Sequence, residues 1–115
     1  MKKTLTKRTL ISLMNDIQKW VETYSFYSSD YRFFMTKNKY PDDEKFDGIA
    51  IIDIGEEYAD RFYFGLAFDG YVYEALHCME SYYESAYNDF FAIIQKHGLA
   101  YDFLDSIHLI IYVDD

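Results

Sequence analysis

Apolar residues recur every three or four positions near the start of the chain. Leu10, Ile11, Met14, Ile17, Val21 and Tyr24 fall on one stripe, the spacing of a helix that buries one face. Thr6 or Thr9 stands where a helix N-cap is expected. The pattern therefore predicts a first helix ending near Tyr24, with Lys7, Arg8 and Lys19 off its apolar stripe. Ser25 to Asp30 reads as a loop, and Tyr31 to Thr36 as a first strand. Pro41 followed by acids makes Lys37 to Lys45 a turn region, because proline fixes φ and donates no hydrogen bond.

The centre of the chain has no helical period. Ile49 to Ile54 is apolar at successive positions, which suits a strand covered on both faces. Glu56 to Asp60 connects it to a third strand, Phe62 to Phe68. Asp69-Gly70 then follows, a dipeptide that favours a tight hairpin turn. Such a turn would pair Phe68 with Tyr71, Leu66 with Tyr73 and Phe64 with Ala75, making Tyr71 onward a fourth strand. A competing pattern starts the second helix, the one that follows, near Val72 and loses this last hairpin strand. Ser81-x-x-Glu84 has the form of a capping box. It precedes a stripe of Tyr83, Ala86, Tyr87, Phe90, Ile93, Ile94 and His97, and Gly98 suits a helix stop. A second helix over about 82–97 is predicted. Leu99 to Ser106 reads as a connector and Ile107 to Val113 as a final, interior strand.

Together these elements predict one α+β domain over residues 1–115. It would have two layers, with a four- to five-stranded, mostly antiparallel sheet packed by two helices in the order α-β-β-β-β-α-β.

Charge changes the picture from fold to partner. The net charge is −9. Residues 1–39 carry 8 Lys and Arg against 3 Asp and Glu, whereas residues 40–115 carry 3 against 17. The first segment is thus +5 and the second −14. A field of one sign attracts basic protein surfaces and repels phosphate backbones. Asp42, Asp43, Glu44 and Asp47 form one acidic cluster, and Glu56, Glu57 and Asp60 a second. Glu80, Glu84 and Asp89 lie along or beside the second helix. These ten are the candidate partner-binding residues, and simple solubility is the alternative reading of their charge. Aromatic residues make up 21% of the chain and include 13 tyrosines. One core of this size cannot hide that many phenols, so several tyrosines should be exposed among the carboxylates.

Little in the chain suggests catalysis. No P-loop, GxGxxG or GxSxG is present. Ile49-Ala50-Ile51-Ile52-Asp53-Ile54-Gly55 resembles the first phosphate strand of actin-like ATPases over these seven residues. Glu56 and Glu57 replace the hydroxyl residues expected next, however, and their charge repels phosphate. Cys78 is the only cysteine, so no disulfide can form within the chain. At a strand end it reads as buried and inert. His77, His97 and His108 show no metal-ligand spacing. His97 reads as a helix C-terminal cation and His108 as a strand residue. No catalytic residue, cofactor or metal is expected, nor direct binding to nucleic acid or membrane.

The apolar run after the basic start is short and interrupted, unlike a secretory signal. With one cysteine, this suggests a cytoplasmic protein. In composition and size the chain is similar to small phage or plasmid anti-defence inhibitors, such as anti-CRISPR proteins and antirestriction DNA mimics. That likeness implies a small acidic inhibitor occupying the nucleic-acid site of a basic protein such as a nuclease. Three alternatives stand beside it: an immunity protein or antitoxin against a nuclease toxin, a small acidic hydrolase, and an acidic oligomeric module, for instance a homodimer, with no inhibitory role.

Overall fold

The structure is a computed structural model. It describes residues 6–35, 45–46, 49–53 and 64–113, with the backbone alone for 45–46 and 49–53.

Helix α1 spans Lys7–Thr23. The Thr6 hydroxyl caps it by accepting the Thr9 amide at 3.1 Å, which satisfies one of the donors a helix start leaves free. Its buried residues, Leu10, Leu13, Met14, Ile17, Trp20 and Val21, follow the helical period. Strand β1 is Tyr31–Met35, β2 is Lys45–Phe46, β3 is Ile49–Asp53 and β4 is Phe64–Phe68. Helix α2 spans Gly70–Leu76. A 3₁₀ turn, Ser81–Tyr83, leads into helix α3, Glu84–Lys96. Strands β5, Leu99–Asp105, and β6, His108–Val113, form a closing hairpin.

The fold is α+β. Four strands pair antiparallel in the order β1-β4-β6-β5, and β3 extends the sheet beyond β1 as a parallel neighbour, with β2 outside it. Alternation puts Phe33, Met35, Phe64, Leu66, Phe68, Leu109 and Ile111 on one face, where they join the buried residues of all three helices in one core. Trp20 lies at the α1–α3 seam, 5.2 Å from the Phe26 ring and 5.0 Å from that of Phe90. Its Nε1–H donates to the Ala86 carbonyl at 2.9 Å. A buried indole N–H needs such an acceptor, because an unpaired one costs about 1–3 kcal/mol.

The predicted hairpin at Asp69-Gly70 does not form. Residues 70–76 are helical, although Phe64, Leu66 and Phe68 are buried as expected. The reason is tertiary. Strand β4 already pairs with β1 on one edge and β6 on the other, so a returning strand has no edge to join. Phe68 pairs with Tyr31, and Leu66 with both Phe33 and Leu109. Val72, Ala75 and Leu76 meet the core instead, at three- and four-residue spacing. The competing reading is right that this segment is helical, but not that one helix runs from Val72 to His97: α2 ends at Leu76 and α3 begins at Glu84.

Residues 99–105 are a strand rather than a connector, with Leu99 paired to Val113 and Tyr101 to Ile111. The element order is therefore α-β-β-β-β-α-α-β-β, with three helices and six strands among the described residues. The final strand is interior, between β4 and β5, as predicted.

The ends of α3 divide in the same way. Gly98 stops it with a φ of 72°, but the capping box is absent. Tyr83 occupies the N-cap position without a side-chain hydrogen bond, and Ser81 lies within the 3₁₀ turn.

Helices α1 and α2 end in Schellman motifs. Phe26 N–H donates to the Val21 carbonyl and Ser25 N–H to that of Glu22. Met79 N–H donates to the Glu74 carbonyl and Cys78 N–H to that of Ala75. Ser25 and Cys78 hold the left-handed position, with φ of 57° and 47°, that glycine usually fills. Cys78 thus terminates a helix and is half-buried, where a buried strand end was expected.

Candidate protein-interaction surface

Seven of the ten predicted acidic residues, Asp42, Asp43, Glu44, Asp47, Glu56, Glu57 and Asp60, lie outside the described residues. The other three separate into two places. Glu80 immediately precedes the 3₁₀ turn and Glu84 opens α3, both exposed. A carboxylate in the first turn of a helix complements the amides exposed there. Asp89 is five residues beyond Glu84, about 140° around the helix at 3.6 residues per turn. It faces α1, where it accepts a hydrogen bond from the Tyr24 hydroxyl. That hydrogen bond raises the Tyr24 phenol above its ordinary pKa, since the neighbouring carboxylate opposes a phenolate.

Asp89 and Tyr24 close one end of a groove of about 380 Å³ between α1 and α3. Trp20, Ala92 and Ile93 also line it, and Asp16 and Lys96 stand at its other end. Asp16 lies 2.8 Å from His97 Nε2 and 3.1 Å from Lys96 Nζ. Burial works to raise the Asp16 carboxyl, but the hydrogen bonds from His97 and Lys96 outweigh it and hold the group below its ordinary value. Both ends of the groove are therefore internally paired. Its polar groups tie α1 to α3, and His97, at the C-cap of α3, meets Asp16 through Nε2.

A different surface surrounds α2. Tyr27, Tyr71 and Tyr82 are 62%, 51% and 73% exposed, and Met79 is 56% exposed. The Tyr27 and Tyr71 rings pair at 5.9 Å, and those of Tyr82 and Tyr83 at 4.5 Å. Glu74 follows Tyr71 by one helical turn and reaches the Tyr82–Tyr83 pair. Burial, then the Tyr82 side chain and the Glu74 carboxylate, push the Tyr83 phenol far above its ordinary range. Asp30 fixes the start of this ridge. Its carbonyl accepts the Asp69 amide at 2.9 Å and its carboxylate accepts the Tyr71 amide at 3.1 Å. Gly70, at a φ of 54°, lets the chain pass against that carboxylate. The ridge realises the expectation of exposed tyrosines among carboxylates. No motif marks Asp30, Tyr71 or Tyr82 as functional; the signal that bears on them is the helical spacing of Val72, Ala75 and Leu76, which turns Tyr71 outward.

The remaining polar groups serve the fold. The Asp105 carboxylate accepts the Ile107 amide at 2.9 Å and meets His108 Nδ1 at 2.9 Å, which closes the β5–β6 turn. Burial tends to raise the Asp105 carboxyl, and those bonds reverse the shift and lower it. His108 is the first residue of β6, in keeping with its reading as a strand residue. His77 Nε2 lies 2.7 Å from the Ser106 carbonyl, and its ring stacks on Phe103 at 5.2 Å. Among the described residues, no group of three or more His, Cys, Asp or Glu is placed to hold a metal ion. No described helix is long and apolar enough to cross a membrane. Compared with protein-family models, curated proteins and solved structures, the chain matches none.

Proposed function

We propose that this chain is a small acidic, non-enzymatic binding protein. It seats on a basic, nucleic-acid-binding surface of a second protein, such as a nuclease, and occludes it. One observation carries this reading: the charge and the exposed aromatic area coincide. Residues 64–113 hold seven carboxylates against the single Lys96, and Tyr71, Tyr82 and Met79 project from the same segment. A solvated acidic face needs no exposed aromatic residues, whereas an interface uses them as anchors with little torsional freedom to lose. Among the described residues, the polar pairs of the α1–α3 groove and of the β5–β6 turn each have a structural use, and the exposed surface around α2 does not, which supports this reading.

The test is capture from lysate with the tagged chain at low and high salt, followed by competition with DNA or RNA for the captured protein. The reading expects a basic partner, release by salt, and mutual exclusion with nucleic acid, because both ligands neutralise the same Lys and Arg side chains. An acidic partner, or simultaneous binding of nucleic acid and this chain, refutes it.

A further inference from the structure

The α2 ridge has a chemistry more specific than negative charge. We infer that Tyr27, Tyr71, Glu74 and Tyr82 form the partner-facing surface and that it is built to receive arginine rather than lysine side chains. This rests on reading the chain as a binder of a basic protein.

Three features carry it. First, the tyrosine rings are held in place before any partner arrives. Tyr71 pairs with Tyr27, its backbone amide is held by Asp30, and Tyr82 pairs with the buried Tyr83. An anchor already fixed loses little freedom on binding. Second, the segment that carries the rings is acidic. Residues 69–84 contain Asp69, Glu74, Glu80 and Glu84 and no Lys or Arg, Glu74 reaches Tyr83, and Asp30 adds a fifth acid at the start of α2, where Arg32 shares a pocket with Asp30 and Asp69. Third, the combination suits one cation better than the other. A planar guanidinium can stack on a tyrosine face while its edge forks to a carboxylate. A lysine ammonium is a compact, strongly hydrated charge that cannot do both in this way.

The same features disfavour the other occupants. A second copy would bring an identical acidic ridge against this one, since a two-fold contact meets its own patch. A nucleic-acid strand could stack its bases on the tyrosines, but only by bringing phosphates among the carboxylates.

The experiment compares two peptides of equal length and charge, oligo-arginine and oligo-lysine, by NMR titration of the whole protein. Oligo-arginine is expected to bind at least about fivefold more tightly, with shifts centred on Tyr27, Tyr71, Glu74 and Tyr82. In Tyr71→Ala/Tyr82→Ala the two affinities should become equal. In Tyr71→Phe/Tyr82→Phe the preference should survive, because the ring and not the hydroxyl carries it. Both side chains are exposed, and an unchanged circular dichroism melt checks that the variants fold.

Equal affinities in the unmodified protein overturn the inference. So do shifts centred on the α1–α3 groove, or a preference that persists in the Ala variant. A dimer of the free protein that dissociates on Tyr71→Ala/Tyr82→Ala also overturns it, because the ridge would then be a self-interface. Failure here is separable from failure of the occlusion reading. An arginine preference without nucleic-acid competition sinks only occlusion, and competition without arginine preference sinks only this assignment.

Discussion

The carboxylate of Asp30 fills the space that a side chain at Gly70 would need. A Cβ built on Gly70 would stand 2.6 Å from Asp30 Oδ2 and 2.7 Å from its other carboxylate atoms. The same oxygen accepts the Tyr71 amide. Sequence neighbours do not supply this cap; it reaches α2 from the 3₁₀ turn Ser28–Asp30 before β1.

Gly70→Ala should therefore destabilise the protein by about 1–3 kcal/mol, from left-handed backbone strain and the clash together. Asp30→Ala should cost about 1 kcal/mol through the lost cap. In the double variant the clash is gone, so the total should be smaller than the sum of the single effects. Urea denaturation of all four proteins checks this, and strictly additive costs would show that the contact carries no energy.

Gly65 and Gly98 should respond differently to alanine. A Cβ at Gly65 would lie 1.9 Å from the Leu109 carbonyl oxygen and 2.8 Å from the Phe34 ring. Neither neighbour can yield, since one is backbone in β6 and the other is a fully buried ring. Gly65→Ala should cost about 3 kcal/mol or more by overpacking. Gly98 has nothing within 4 Å, so Gly98→Ala faces only the strain of a φ of 72°, about 1 kcal/mol. Comparable denaturation midpoints for the two variants would contradict this.

Asp16 predicts a pH dependence. Its carboxyl is lowered from an ordinary value of 3.8 in the folded state, so folding favours the ionised form. Its stabilising contribution is complete above about pH 5 and is lost as pH falls through the lowered folded value. Lys96 is largely exposed, and solvent screening keeps the contribution near 0.5–1 kcal/mol, roughly the range of an exposed ion pair. Asp16→Asn should lose that amount at neutral pH and approach the unmodified protein at an acid pH below the lowered folded value. Equal stability differences at both pH values would mean that the Asp16 contacts with His97 and Lys96 contribute no charge interaction.

Glu80 and Glu84 test steering. Glu80→Lys/Glu84→Lys should slow association with a captured basic partner several-fold, roughly threefold to tenfold at low salt, and change dissociation less. Stopped-flow mixing at two salt concentrations reads both rates. Tyr82→Ala should instead act mainly on dissociation, as an anchor side chain does. If charge reversal leaves the association rate untouched, these two carboxylates do not face the partner.

Local pattern sufficed wherever one segment supplied its own reasons. The i, i+3, i+4 stripe and the Thr6 cap made α1 legible. Gly98 marked the end of α3, and the apolar runs marked β1, β3, β4 and β6. Composition likewise foretold exposed tyrosines among acids. What it could not reveal was which segments compete for the same partners. Asp69-Gly70 has hairpin chemistry, yet both edges of β4 are taken by β1 and β6, strands from distant parts of the chain. The next residues were left to bury Val72, Ala75 and Leu76 as a helix. Leu99, Tyr101 and Phe103 alternate as a strand should, but the strand shows itself only when β6 returns beside it across the Ser106–Ile107 turn. The candidate surface follows the same division. The carboxylates and tyrosines were countable from the start, whereas the cap from Asp30 and the pairing of Tyr27 with Tyr71 join residues more than forty positions apart. Such contacts depend on how the elements dock, and no local spacing encodes them.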